Sequence, residues 1–101
     1  MLAGAAAAYR AALEVHTRAA HPVDWAMTQE NLGLVFEDEG DRGRDGDDQA
    51  GWYREALVCF DAALGVFGAG GLEWNRAKCG RNRARVAGKL GVGPSGGSAE
   101  S

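Results

Sequence analysis

Apolar residues recur along the chain at the i, i+3, i+4, i+7 spacing of amphipathic helices, in four blocks separated by proline, glycine and charge. Leu2, Ala5, Ala6, Tyr9, Ala12, Leu13 and His16 form the first stripe and predict a helix over about 3–19. His21-Pro22 stops it, because the residue before a proline resists the helical region. Pro22 suits the first turn of a second helix, over about 23–39, where Asp24 adds favourable negative charge. Trp25, Leu32 and Phe36 fall on one face of that helix and Met27 and Leu34 on another, the pattern of a helix held between neighbours. Gly33, between Leu32 and Leu34, predicts a close approach by another helix. Glu37 to Gly51 reads as a polar, glycine-rich connection. A third helix, over about 51–67, carries Tyr53, Ala56, Leu57, Phe60, Ala63, Leu64 and Phe67 on one stripe. Gly68-Ala69-Gly70-Gly71 turns the chain into a fourth helix, over about 72–90. That helix is less apolar, with Trp74, Ala77, Ala84, Val86, Ala87 and Leu90 set among bases.

The third stripe is the first displaced by 51 positions, residue for residue, and Trp25 recurs as Trp74. A period near fifty built from helices is the mark of stacked hairpins, an architecture that makes extended binding surfaces. Residues 1–90 therefore read as one helical repeat domain and 91–101, rich in Gly and Ser, as a flexible tail.

Composition supports a small helical protein: 46% of the 101 residues are apolar, with abundant alanine. Sixteen glycines exceed what helices normally hold. The net charge of −3 is mild, but its distribution is uneven. Glu37 to Asp48 holds seven acids against two arginines, and Arg76 to Lys89 holds six bases and no acid. Such asymmetry points to internal complementarity or to a charged partner. Cys59 and Cys79 read as small buried hydrophobes or free thiols. The Ala-rich start lacks a basic leader, and no apolar run spans 18 residues, so the expected location is the cytoplasm, off the membrane.

Catalytic and metal chemistry find little footing. His16 occupies a core position, at the place Phe67 holds in the repeat, and His21 lies in a turn. No nucleophile–base pairing, phosphate-cradling loop or metal-ligand cluster emerges, so no enzyme activity, cofactor or metal is expected. Asp41 to Asp47 has the outline of a calcium loop. However, Gly43 and Trp52 stand where ligands are needed, and the sensible reading is a solvated loop.

Ala8-Tyr9-Arg10-Ala11-Ala12-Leu13-Glu14-Val15, followed by Pro22-Val23-Asp24-Trp25-Ala26-Met27-Thr28-Gln29-Glu30-Asn31-Leu32-Gly33, resembles bacterial tetratricopeptide repeats of the long-period type. Asn31-Leu32-Gly33 and Phe36 match the first helix of such a repeat; Ala56, Phe60 and Ala63 match the small–large–small signature of the second. The segment after Trp74 departs from this pattern, and 15 residues separate Gly40 from Ala56 where the family has about four. The resemblance implies an all-α fold of antiparallel hairpins stacked as a short α-solenoid of about four helices. It also implies a non-catalytic scaffold that binds a protein or peptide in a concave groove lined by first-type helices. Carried onto this chain, that groove takes in Met27, Glu30, Asn31, Leu34 and Glu37 on helix two, with Arg76 and Arg83 facing it from helix four.

Two other readings compete. About two repeats' worth of helices is fewer than stacks usually need, so the chain could be a self-assembling or capping unit, or part of a longer array. The basic fourth helix could also neutralise phosphates. Its arginines spread around the axis without aromatic residues for base stacking, so nucleic acid ranks a distant third.

Overall fold

The computed structural model describes residues 2–43 and 48–91, in which there are four α-helices and no strand. They are α1 (Leu2–Val15), α2 (Pro22–Arg42), α3 (Gln49–Ala69) and α4 (Glu73–Leu90). Consecutive helices pack as antiparallel hairpins: α1 on α2, α2 on α3, and α3 on α4. The result is the expected all-α stack of helical hairpins, with α2 and α4 running parallel.

The core is built around α3. Phe60, Ala63 and Phe67 are fully enclosed, and Tyr53 and Ala56 join them, with Leu57 and Leu64 partly covered. The matching stripe of α1 is less deeply covered: Ala6 is buried while Tyr9, Ala12 and Leu13 are partly so. Identical patterns bury unequally because α3 has helices on both sides and α1 packs only on α2. Leu2 and Ala5 of the expected stripe lie outside the described side chains.

Two glycines set the α2–α3 contact. A Cβ on Gly33 would stand 2.6 Å from the Phe60 ring, and one on Gly40 would stand 2.7 Å from the Tyr53 ring. Gly33 and Gly40 are seven residues apart, as are Tyr53 and Phe60, in opposite order. Two turns of one helix thus receive two aromatic rings of its antiparallel neighbour.

Three expectations need correction. Helix α1 ends at Val15, not near Ala19, because Thr17 takes over: its carbonyl accepts from the His21 N–H and its hydroxyl from the Ala20 N–H. Helix α2 continues past Glu39 to Arg42, so half of the expected acidic connection is helical. Gly43 stops it in the left-handed conformation, φ 57°, with its N–H bonded to the Gly40 carbonyl. Helix α3 begins two residues early, at Gln49, capped by Asp48, whose carboxylate accepts from the Gly51 N–H. Residues 44–47 of the expected loop and calcium outline, and 92–101 of the expected tail, lie outside the described residues.

The second face of α2 also differs from the reading of a helix apolar on two sides. Met27 and Leu34 remain 46% and 36% exposed. The side chains of α2 that bond to α4 are acids: Glu30, Glu37 and Asp41.

Candidate interaction surface

Acids on α2 and bases on α4 form a ladder between the two parallel helices. Glu30 pairs with Lys78 at 3.5 Å and accepts a hydrogen bond from Asn82 at 2.8 Å. Glu37 accepts two bonds from the Arg85 guanidinium, each 2.7 Å, and one from Lys89 at 2.7 Å. Asp41 takes Lys89 at 2.9 Å and the Tyr53 hydroxyl at 2.7 Å. The side chains at 30, 37 and 41 share one face of α2, and those at 78, 82, 85 and 89 share one face of α4, because residues three, four and seven apart line up on a helix.

Electrostatics follow from this geometry. The two bonds from Arg85 hold the Glu37 carboxyl below its ordinary value, with Lys89 adding to the effect and burial opposing it. Lys89 and then Tyr53 hold Asp41 down in the same way. Asp41 in turn raises the Tyr53 phenol, and Glu37 raises Arg85. Burial pulls Lys89 down, but its bonds to Glu37 and Asp41 outweigh that and leave it raised. Glu30 and Glu37 are almost fully buried, so the bonds satisfy charges that would otherwise be costly to enclose.

The expected site residues therefore divide. Glu30 and Glu37 do not offer free carboxylates to a groove; both are buried and occupied by α4. Arg83 and Arg76 do not face α2. Arg83 pairs with Asp61 of α3, and Arg76 lies by Gly68 of α3 and near Glu73 of its own helix. The bases turned to α2 are Lys78, Arg85 and Lys89. Met27, Asn31 and Leu34 are exposed.

One apolar member of this surface escaped the sequence reading. Trp74, set among the bases of helix four and not counted among the groove residues, is 70% exposed, with the Lys78 ammonium 5.4 Å from its ring centroid. Met27 stands three residues before Glu30, Leu34 three before Glu37, and Trp74 four before Lys78, so all three border the ladder. The outcome is a surface of three large apolar side chains and one amide, carried on two helices locked together by ionic contacts.

A signal for the ladder does exist in the sequence. Lys78, Arg85 and Lys89 each stand 48 residues after the acid they meet, close to the repeat period. Scanning for opposite charges at the repeat spacing would have found it.

The cysteines fit the plain expectation. Both are free and buried, and burial pushes the thiols up to about 11 for Cys59 and about 12 for Cys79, which keeps them protonated and unreactive. At the α1–α2 turn, by contrast, the expected absence of a ligand cluster needs correction. His16, His21 and Asp24 bring ligand atoms within 4.8 Å of one another. Considered singly in the sequence, neither histidine had a partner.

The chain matches no protein-family model, and it matches no curated protein or solved structure.

Proposed function

We propose that this chain is a non-catalytic interaction module of the tetratricopeptide kind that binds a protein or peptide segment along the α2–α4 surface. The observation that carries this reading is the exposure of Met27, Leu34 and Trp74 beside a pre-assembled ionic floor. Exposed large side chains grouped on one face favour partner contact over scattered surface residues. A floor already locked loses little freedom on binding, and that preserves affinity. Asn31, exposed between Met27 and Leu34, can both donate to and accept from a peptide backbone. The long-period repeat resemblance over Tyr9 to Gly33 supports the same assignment.

Leu34→Glu and Trp74→Ala test it. Both positions are exposed, so both variants are expected to fold, as circular dichroism will report. Proteins captured by the wild-type chain are expected to be lost by either variant, and Asn31→Ala is expected to weaken their capture. Unchanged capture by folded Leu34→Glu and Trp74→Ala overturns the reading.

A second reading, self-assembly, rests on the open end of the stack. Helix α1 packs on α2 alone, and its far side leaves Val15 71% exposed beside exposed Ala7 and Ala11. Nucleic-acid binding loses ground, because Lys78, Arg83, Arg85 and Lys89 of the basic run already meet carboxylates. No helix among the described residues is long and apolar enough to cross a membrane.

A further inference from the structure

The turn joining α1 to α2 collects three metal-ligating side chains in a His-x4-His-x2-Asp arrangement. His16 follows the last residue of α1, His21 caps α2, and Asp24 lies in its first turn. One ligand atom from each lies within 4.8 Å of the others. The two imidazoles meet edge to face, with centroids 5.0 Å apart and planes at 83°.

The His16 ring is not explained by packing. Its Nδ1 is shielded from solvent and has no hydrogen-bond partner, the one such buried side-chain nitrogen or oxygen among the described residues. The equivalent position in the repeat is Phe67, fully buried and apolar. A phenyl ring would fill the place without stranding a polar atom, which is costly when buried. His21 is similarly uncommitted, since it caps α2 without any side-chain bond to the helix.

We propose that His16, His21 and Asp24 bind a transition-metal ion of the zinc class, with water completing the coordination. Two imidazole nitrogens and one carboxylate oxygen form a donor set that zinc accepts at about 2.0–2.2 Å, whereas calcium and magnesium demand oxygen throughout. Tetrahedral bonds of that length bring donor atoms to roughly 3.4 Å from one another. The present spacing closes to that value by side-chain rotation, and His21 and Asp24 are exposed and have room to turn. The positive end of the α2 dipole opposes a cation here, and the carboxylate of Asp24 offsets it. Bound, the ion joins the end of α1 to the start of α2 and fixes the angle of the one helix that packs on a single neighbour.

Calorimetric titration of the tag-free protein with Zn²⁺, and absorbance titration with Co²⁺, test the site. One ion is expected per chain, with visible Co²⁺ bands showing nitrogen ligation and a Tm that rises with Zn²⁺. His16→Phe installs the residue of the second copy and is expected to preserve the fold; Asp24→Asn changes only an exposed position and carries the test if the first does not fold. Each is expected to lower metal affinity by about tenfold or more and to remove the Zn²⁺-dependent rise in Tm. Absence of one-to-one binding, or binding that neither folded variant weakens, overturns the proposal and leaves an adventitious ion only.

Discussion

Gly33 and Gly80 are both glycines inside helices, and their surroundings give them opposite roles. Phe60 fills the space a Gly33 side chain would need, while nothing lies within 4 Å of a Cβ on Gly80. Gly33→Ala is therefore expected to destabilise the chain by about 1–3 kcal/mol through overpacking. Gly80→Ala removes backbone freedom from the unfolded chain and is expected to stabilise it by about 0.5–1 kcal/mol. Chemical denaturation of the two variants checks both signs. The pattern around Leu32 and Leu34 already marked Gly33 as a contact. Gly40 falls in the expected connection, because its reason, the Tyr53 ring, lies thirteen residues away on another helix.

The helices themselves were legible because amphipathic periodicity is a local property, but their ends were not. The expected acidic connection proves half helical because Glu37 and Asp41 are held by Arg85 and Lys89, and helix α2 must extend far enough to present them. This ladder makes stability depend on pH. Folded Glu37 and Asp41 titrate below their ordinary values of 4.5 and 3.8. Their contribution is thus complete above that range and is lost as pH falls through the lower folded values. Glu37→Gln is expected to cost about 1–3 kcal/mol at pH 7, where it removes the charge-assisted bonds from Arg85 and Lys89. That difference from the wild type should shrink as the solution is acidified below about pH 4, and urea melts across pH check it. A constant difference down to the acid limit would mean that the ladder does not hold Glu37 ionised.

At the scale of the whole molecule the stack has two unequal ends. Helix α4 closes one with charge and with the buried Cys79, Val86 and Ala87. Helix α1 leaves the other thinly covered, with an open cleft of about 520 Å³ lined by Ala6, Arg10, Phe36 and Trp52 among others. If copies stack through that end, solution mass will rise over a hundredfold concentration range and Tm will rise with it, as mass action requires. A monomer of constant Tm removes self-assembly. Light scattering after size exclusion makes the distinction.

Four helices and the apolar stripe that becomes the core of α3 follow from residue order, since each depends on neighbours within a few turns. The fate of the charges depends on something else. Met27, Leu34, Glu30 and Glu37 all read as groove; Met27 and Leu34 stay exposed, whereas Glu30 and Glu37 are buried, because the α2–α4 contact is filled by ion pairs bridging 48 to 52 residues. Trp74 is exposed, and the turn between α1 and α2 brings His16 to His21 and Asp24. Burial and proximity between distant residues are set only when α3 brings α2 and α4 together and the turn returns the chain on itself. Local periodicity carries no term for either.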